Sequence, residues 1–494
     1  MEINYFSTRD RSKSLSASRA IVQGLSEDGG LFVPDQFPKL DVSLDKLATM
    51  NYREVAYEVM KLFLTDFTEE ELKYCIDHAY DSKFDTEEIA PMAQVGDTYY
   101  LELFHGKTIA FKDMALSILP YLMTTAAKKN NINEKIVILT ATSGDTGKAA
   151  LAGFADVEGT GIVVFYPKGG VSRVQERQMV TQKGKNVKVV GITGNFDDAQ
   201  TGVKKIFADK EFEAELLKDG YRFSSANSIN IGRLIPQVAY YVFAYSRLVK
   251  EGKISAGDPI NFTVPTGNFG NILAGFYANK IGIPVNKLIC ASNENKVLFD
   301  FFENGCYDRN REFILTSSPS MDILISSNLE RLIYEIAGDD KTCAEMMKLL
   351  SENGKYEITP EMKEKCSIFV GGYATEEMVF ERIHEVYSDT GYVMDTHTGV
   401  ASAVYKDYVK ETNDKTPTVI VSTASPFKFT RSVMEALEGK KEEADDFELI
   451  DRLSSMTGIT VPAAVEEIRN AEILHDTVCE KEQMKEEVRK FLAK

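Results

Sequence analysis

The sequence lacks long apolar runs, paired cysteines and an excess of basic residues, and each absence narrows the class of protein. No run of about 18 apolar residues is present, so no transmembrane helix is expected. The six cysteines form no CxxC pair, which argues against a zinc site or a disulfide framework and for a reducing compartment. A net charge of −18 argues against nucleic-acid binding, which requires a basic surface.

The first residues also lack an apolar signal core, so the sequence predicts a cytoplasmic protein. Their Arg and Ser content is typical of a transit peptide, but the acidic residues Glu2 and Asp10 argue against one. With 44% hydrophobic and 27% charged residues, the composition is that of an ordinary soluble globular protein. A chain of 494 residues is long enough for about two to four domains.

Strand-like and helical segments alternate through the middle of the chain. Short β-branched runs at 136–142, 161–167 and 187–193 are each followed by a helical pattern. Such runs are expected of strands that are buried on both faces of a parallel sheet. We therefore predict an α/β fold with parallel sheets flanked by helices.

A lysine stands between two apolar runs in residues 101–117, LELFHGKTIAFKDMALS. An ammonium group in apolar surroundings is disfavoured, so we expect the pKa of Lys112 to fall and its amine to be nucleophilic at neutral pH. Such an amine can form a Schiff base with a carbonyl cofactor. The alternative is an ordinary lysine at a helix start whose ammonium reaches solvent.

Two glycine-containing turns, SGDTG at 143–147 and GNFGN at 267–271, each connect a strand to a helix. Backbone N–H groups and the helix dipole at such a turn can bind an anion. The spacing of Gly144 and Gly147 is too short for a Walker A loop, which argues against a nucleotide-binding enzyme. Each turn could also be a simple helix cap or tight turn without a ligand.

Taken together and in this order, these segments resemble threonine synthase, a fold-type II enzyme of the tryptophan synthase beta-like family that depends on pyridoxal phosphate (PLP). The similar strings run through nearly the whole chain: GLSEDGGLFVP, LFHGKTIAFKD, SGDTG, NSINIGRLIPQ, GNFGN, SPSMD, DTHTG and STASPFKF. Lys107 departs from the proline usual in the family, and Thr396 and Gly399 are further departures. The resemblance implies the fold of a fold-type II enzyme.

The resemblance also implies the cofactor, pyridoxal 5′-phosphate, and the residues that bind it. Lys112 falls on the Schiff-base lysine, which also acts as the general base at the substrate Cα. Four residues would bind the substrate carboxylate: Ser143, Gly144, Asp145 and Thr146. Four others would bind the phosphate of PLP: Gly267, Asn268, Phe269 and Asn271. Thr423 would offer its hydroxyl to the pyridine nitrogen, with Ser425 as the alternative.

The implied reaction converts O-phospho-L-homoserine and water to L-threonine and phosphate. The substrate phosphate needs a cationic pocket, for which Lys107, Arg9 and Arg233 are hypotheses. His397 is expected to be a structural hydrogen-bonding residue rather than a base, and no metal site is predicted. Two alternatives stay open: another fold-type II PLP lyase, such as a threonine or serine dehydratase or a phospho-lyase, or a binding protein without activity.

The expected domain organisation has three parts. An N-terminal domain at 1–95 precedes a PLP-binding core at 96–430, which contains two α/β lobes. A mostly helical insertion at about 295–370 lies within the core, and its residues indicate no chemistry. Residues 431–494 form a helical C-terminal region. The sequence leaves open whether the protein is a monomer or a homodimer.

Overall fold

A computed structural model describes residues 2–142 and 144–493. The strands of this part of the chain are β1 (Tyr5–Ser7), β2 (Phe32–Pro34), β3 (Met92–Val95), β4 (Thr98–Glu102), β5 (Lys135–Ala141), β6 (Thr160–Pro167), β7 (Val187–Thr193), β8 (Tyr221–Ser224), β9 (Ile260–Pro265), β10 (Val285–Ser292), β11 (Cys306–Asp308), β12 (Lys355–Glu357), β13 (Phe369–Tyr373), β14 (Thr418–Ser422) and β15 (Val478–Glu480).

The helices in the same residues are α1 (Ala17–Gln23), α2 (Leu44–Leu47), α3 (Tyr52–Phe63), α4 (Glu69–Ala79), α5 (Asp113–Leu116), α6 (Leu119–Lys129), α7 (Asp145–Phe154), α8 (Arg173–Val180), α9 (Phe196–Ala208), α10 (Lys210–Lys218), α11 (Ile231–Lys250), α12 (Gly270–Ile281), α13 (Val297–Asn304), α14 (Leu329–Ala337), α15 (Asp340–Asn353), α16 (Pro360–Lys365), α17 (Glu376–Thr390), α18 (Thr396–Thr412), α19 (Thr430–Glu438), α20 (Asp446–Thr457), α21 (Ala463–Arg469) and α22 (Met484–Leu492). Short 3₁₀ turns occur at Pro319–Met321, Pro426–Lys428 and Lys481–Gln483.

The larger sheet has six strands in the order β13-β10-β9-β14-β4-β3. Neighbouring strands are parallel except β3 and β4, which form an antiparallel pair at one edge. Strands β9 and β14 are buried along their whole length, which explains why their sequences, INFTVP and TVIVS, contain no charged residue. Lys112, the turn at 267–271 and Thr423 follow β4, β9 and β14, so all three lie near the carboxyl edge of this sheet.

The smaller sheet has five parallel strands in the order β15-β7-β6-β5-β8. Helix α7 begins at Asp145, four residues after the end of β5 at Ala141, so the SGDTG turn lies at the carboxyl edge of this second sheet. Ligands of open parallel sheets bind at this edge. The Lys112 Nζ lies 3.6 Å from Asp145 Oδ2, so the carboxyl edges of the two sheets meet at one site.

Helix α11 is the central helix of the core. Most of its residues are buried, and its sequence is accordingly apolar on several faces, as is typical of a helix enclosed by protein. It packs against α3 and α12. Its first turns carry Arg233 and Tyr240 towards the site between the two sheets, where both are buried.

The predicted α/β fold with parallel sheets flanked by helices is confirmed. The C-terminal region contributes one element that the sequence did not predict, strand β15, which pairs with β7 at the edge of the smaller sheet. Three residues are too few to show the alternating pattern of a strand, which is why only the pairing reveals it. Among the described residues, no helix is long and apolar enough to cross a membrane.

Candidate active site

Lys112 lies directly before α5, in a segment that hydrogen bonds attach to the end of β14. Leu103 N donates to Ser422 O at 3.0 Å, and Phe111 N donates to Thr423 O at 2.8 Å. A third bond runs the other way, from Ser425 N to Ile109 O at 3.0 Å. These bonds fix the lysine segment and the end of β14 relative to each other.

The Lys112 amine is almost enclosed, with 11% of its side chain exposed. Its Nζ donates to Ser320 Oγ at 3.1 Å. Burial lowers the pKa of Lys112, and the positive charges of Lys428 and Arg233 lower it further against the opposing effect of Asp145. A lowered pKa increases the neutral, nucleophilic fraction of the amine.

Asp113 holds the turn before Lys112 in place. Thr108 donates twice to the Asp113 carboxylate, from its backbone N–H at 2.7 Å and from its hydroxyl at 2.6 Å. A Cβ on Gly106 would lie 2.5 Å from Asp113 Oδ2, so this close approach requires glycine. The turn is therefore rigid, and the position of Lys112 does not depend on its own side-chain contacts alone.

The predicted carboxylate loop is only partly described, because Ser143 lies outside the described residues. Gly144 has a φ of 146°, in the region that favours glycine, and an added Cβ would overlap the Gln175 side chain. The backbone N–H groups of Gly144 and Gly147 both donate to Thr142 Oγ1 at 3.0 Å. These two N–H groups are therefore already used.

The Asp145 carboxylate is the charged centre of the site. Lys428 Nζ lies 3.2 Å from its Oδ1, and Gln175 Nε2 donates to the same oxygen at 3.0 Å. Ser320 Oγ donates to Oδ2 at 3.1 Å. Burial alone would raise the pKa of Asp145, but the ammonium groups of Lys428 and Lys112 hold it well below its usual range. A negatively charged side chain repels a carboxylate, so a carboxylate bound at this loop would contact its backbone and not the Asp145 side chain.

The GNFGN turn fits a phosphate group. Phe269 has a φ of 64°, and a Cβ on Gly267 would lie 2.6 Å from the Ser320 carbonyl oxygen, so the backbone approaches closely here. Asn271 Oδ1 accepts hydrogen bonds from the hydroxyls of Tyr240 and Tyr241, both at 2.7 Å. This fixes the amide so that its Nδ2 is a donor, and among the described residues Nδ2 is buried without a partner. A buried free donor at a helix N-terminus suits an anion.

Asn268 has a different environment within the same turn. Its backbone carbonyl accepts from the backbone N–H of Asn328 at 3.0 Å and from the Asn328 side chain at 3.1 Å. Its own side-chain oxygen accepts a long bond of 3.4 Å from Ser327 Oγ. These contacts tie the turn to the segment before α14.

Thr423 follows the end of β14 and is 5% exposed. Its backbone N–H donates to Thr398 Oγ1 at 3.3 Å, and its own hydroxyl has no hydrogen-bond partner within the described part of the chain. The hydroxyl of Ser425 instead accepts from Phe427 N and caps the 3₁₀ turn at Pro426–Lys428. Of the two hydroxyls, that of Thr423 is the one without a hydrogen-bond partner in the described part of the chain, which favours it as the contact to a ligand.

His397 contacts the site through the backbone. Its Nε2 accepts from Ser320 N at 3.2 Å, and its Nδ1 lies 2.7 Å from Asp395 Oδ2. Because Nε2 accepts, the ring proton is on Nδ1 and is donated to Asp395. His397 thus supports Ser320, which in turn contacts Lys112.

Three residues of the site were missed by the sequence reasoning: Ser320, Gln175 and Lys428. Ser320 and Lys428 occur in strings that carried the family resemblance, SPSMD and SPFKF, but neither string indicated chemistry. Lys428 is enclosed completely, with none of its side chain exposed. The separation of Lys428 and Lys112 along the sequence gives no indication that both side chains contact the same carboxylate.

The structure separates the three sequence hypotheses for a phosphate pocket. The Arg9 guanidinium forms two hydrogen bonds of 2.8 Å with the carboxylate of Glu330, so its charge is already compensated. Arg233 is buried near Lys112, and its Nε has no partner among the described residues. Lys107 is exposed at the edge of the lysine segment.

Comparisons with protein families cover most of the chain. Residues 4–80 match the model for the threonine synthase N terminus, and residues 89–362 match the model for pyridoxal-phosphate dependent enzymes. Residues 398–478 match the model for the threonine synthase C-terminal region. The three matches follow one another in chain order.

Individual proteins give the same result. The chain is 37% identical to threonine synthase of Saccharomyces cerevisiae over 88% of this chain and 89% of that protein. It is 41% identical to human threonine synthase-like 1 over 86% of this chain, but it spans only 58% of that longer protein. The crystal structure of PLP-bound threonine synthase from Brucella melitensis superposes with a TM-score of 0.88 and 33% identity, with both chains covered completely.

The residues present fit the cofactor that these relatives imply. A buried amine of lowered pKa, a phosphate-sized turn with a free buried donor and an available hydroxyl at a strand end lie at one site. PLP is therefore the cofactor, and the prediction of PLP from the sequence is confirmed. The chain belongs to the threonine synthase family of pyridoxal-phosphate-dependent enzymes.

Proposed function

We propose that the protein converts O-phospho-L-homoserine and water to L-threonine and phosphate. The observation that carries this proposal is the charge of the site. Four basic side chains that are buried or nearly so, those of Lys112, Lys148, Arg233 and Lys428, lie around the buried carboxylates of Asp113 and Asp145, so these basic groups outnumber these two carboxylates. A substrate with both a carboxylate and a phosphate compensates this excess, whereas serine or threonine does so less well.

Each residue of the site then has a proposed task. Lys112 holds the cofactor covalently and, once released, moves the proton at the substrate Cα. When bound, PLP supplies an electron sink for the bond broken at Cα. The turn formed by Gly267, Asn268, Phe269 and Asn271 holds the cofactor phosphate, and the Thr423 hydroxyl donates to the ring nitrogen.

The loop from Ser143 through Gly144 and Asp145 to Thr146 is proposed to orient the substrate carboxylate through main-chain N–H groups other than those of Gly144 and Gly147, which Thr142 already accepts from. A fixed carboxylate would determine which bond at Cα is broken. The loop therefore controls the type of reaction rather than its rate alone.

For the substrate phosphate we propose Lys148 in place of the earlier hypotheses. Lys148 Nζ donates to Gln182 Oε1 at 2.6 Å and has no carboxylate within ion-pair distance in the described residues. Burial and the charge of Lys428 lower its pKa to about 7, so an anion would stabilise its charged form. Gln178, in α8, lies four residues before Gln182, and both polar atoms of its buried amide are without partners in the described chain.

Replacement of this lysine tests the assignment. Lys148→Met is expected to raise the KM for O-phosphohomoserine by about 10- to 100-fold, because a charged hydrogen bond is lost. The absorbance of the bound cofactor should not change. Lys107 is exposed at the edge of the lysine segment, so the control variant Lys107→Met should change the KM by less than about two-fold. An unchanged KM in Lys148→Met would remove Lys148 from the phosphate pocket.

A second candidate is another fold-type II PLP lyase acting on a related amino acid. It is favoured by the similarity to threonine synthase-like 1 proteins, which at 40% and 41% identity are no less similar than the S. cerevisiae threonine synthase at 37%. The purified protein should be incubated in parallel with O-phosphohomoserine, phosphothreonine, threonine and serine. Threonine and phosphate formed from the first substrate alone support the proposal, and 2-oxobutyrate or pyruvate from the others would replace it.

We also propose the division of the chain into an N-terminal domain at 1–95, a core at 96–430 and a C-terminal region at 431–494. Limited proteolysis that cuts near 95 or 430 before it cuts within the core would support these boundaries. A cytoplasmic location is proposed as well, and fractionation of cells that express the natural protein tests it.

A further inference from the structure

Lys428 is a buried lysine that competes with Lys112 for the same carboxylate. It lies in the 3₁₀ turn Pro426–Lys428, which begins four residues after the end of β14 and follows Thr423. None of its side chain is exposed. Burial of an ammonium is costly, so its position requires compensation by specific partners. These are the carbonyl oxygen of Thr108 at 2.8 Å and Asp145 Oδ1 at 3.2 Å.

Asp145 divides its two oxygens between the two lysines. Lys428 Nζ lies 3.2 Å from Oδ1, whereas Lys112 Nζ lies 3.6 Å from Oδ2. Ser320 Oγ stands next to the longer contact, since it accepts from Lys112 and donates to Oδ2. One negative charge thus serves two ammonium groups, and the closer one is Lys428.

Among the described residues, the carboxylate that acts on Lys112 is that of Asp145. Asp113, the first residue of α5, accepts from Thr108 and acts on Lys428 and Lys148, and His397 of α18 lies against Ser320. Helix α11 contributes Arg233, a cation, and the 3₁₀ turn Pro319–Met321 contributes the neutral Ser320. Helix α7 contributes Asp145, and the turn at Pro426–Lys428 contributes Lys428. Two cations and one shared carboxylate therefore act on the Lys112 nitrogen.

We propose that Lys428 is a positioning residue that keeps Asp145 from acting as the full counter-ion of Lys112, so that the Lys112 nitrogen releases its proton at a lower pH than it would beside Asp145 alone. This inference rests on Lys112 as the cofactor lysine, but it does not require the proposed substrate. Without Lys428, Asp145 would pair with Lys112 alone, and the protonated form of the Lys112 nitrogen would be favoured.

The pH dependence of the visible absorbance of the PLP-loaded enzyme tests this role, because that band reports the protonation state of the Lys112 nitrogen. Lys428→Gln removes the charge and keeps a donor for the Thr108 carbonyl. We expect the midpoint of the pH transition to rise by about one unit, a ten-fold change in the unprotonated fraction. Asp145→Asn should move the midpoint in the opposite direction, and Lys428→Arg, which keeps the charge, should leave it near the wild-type value.

A role of Lys428 limited to folding predicts a different result. The melting temperature of Lys428→Gln would then fall, while the midpoint would stay within about 0.2 units of the wild-type value. An unchanged midpoint in Lys428→Gln overturns the inference, whatever the result for Asp145→Asn. If Lys428→Gln does not fold, Asp145→Asn still tests the premise that Asp145 acts on Lys112: a midpoint that does not fall overturns the inference, and a fall together with a wild-type midpoint in Lys428→Arg supports it. A wild-type band that does not titrate below about pH 9 also overturns it. The pH titration needs only the absorbance band and not turnover of O-phosphohomoserine. A protein that forms the band but makes no threonine would therefore refute the proposed reaction without affecting the test of Lys428.

Discussion

His105 allows a prediction about stability that follows from its two contacts. Its Nδ1 lies 2.6 Å from Asp85 Oδ1, and its Nε2 lies 3.0 Å from Glu102 Oε2. Ionised carboxylates only accept hydrogen bonds, so both ring nitrogens must donate and the imidazole is positively charged. Burial alone would lower the pKa of His105, but the hydrogen bonds to Asp85 and Glu102 raise it to about 9.

Because folding raises the pKa of His105, the stabilisation by its charged imidazole is lost at high pH. The folded-state pKa lies above the unfolded value of 6.5, so the stabilisation is complete below about pH 6.5 and is lost as the pH rises through about 9. The difference between the folded and unfolded pKa values of His105 corresponds to about 3 kcal/mol in the free energy of unfolding. We reduce this to about 2 kcal/mol because the Asp85 side chain is 55% exposed and solvent screens the pair. For a chain of this length, that corresponds to roughly 2 °C in melting temperature.

The variant His105→Gln removes the charge and retains one side-chain donor. Melting temperatures of wild type and variant, measured by fluorimetry between pH 6 and 10, should differ by roughly 2 °C at the acid end and converge at the alkaline end. His78→Gln is a matched control, because the His78 imidazole is exposed and contacts the Tyr74 backbone carbonyl. It should show no pH-dependent difference. A constant difference between wild type and His105→Gln across this range would refute the reasoning.

Four further variants test the cofactor and substrate contacts. Thr423→Val should weaken PLP binding by about 3- to 10-fold, because one hydrogen bond is lost, whereas Ser425→Ala should leave it unchanged. Equilibrium dialysis measures both dissociation constants, and equal effects would contradict the choice of the Thr423 hydroxyl. Asn271→Ala should weaken PLP binding by about ten-fold in the same assay, and unchanged binding would remove the amide from the phosphate site. Gly147→Ala brings a Cβ within 2.5 Å of the Thr142 side chain, so the loop must move. The substrate KM should rise by about ten-fold or more while the absorbance spectrum of the cofactor stays constant. A KM equal to that of the wild type would show that substrate binding does not depend on the position of this loop.

The parts of the site that could be predicted from the sequence are those with a local signal. The lysine between apolar runs and the two strand–turn–helix segments each fall within about 20 residues, where spacing determines the local geometry. Parallel strands then bring their carboxyl ends to one edge, which is why Lys112, the turn at 267–271 and Thr423 converge.

The contacts that join distant segments could not be predicted in this way. Ser320 lies 208 residues from Lys112, and Lys428 is farther still along the chain, so no spacing rule connects them. The use of the Gly144 and Gly147 N–H groups by Thr142 was also hidden, because a threonine at a strand end has several possible partners. His397 illustrates the same limit, since its structural role was expected but its contact with Ser320 depends on tertiary packing.

The central claim is that Lys112 binds PLP and acts on O-phosphohomoserine. The most direct test is an absorbance spectrum of the wild type and Lys112→Ala, each loaded with PLP, followed by addition of O-phosphohomoserine and measurement of threonine and phosphate. We expect a visible band that depends on Lys112, together with release of both products by the wild type alone. An identical band and identical turnover in Lys112→Ala, or a wild type that forms no band with PLP, would contradict it.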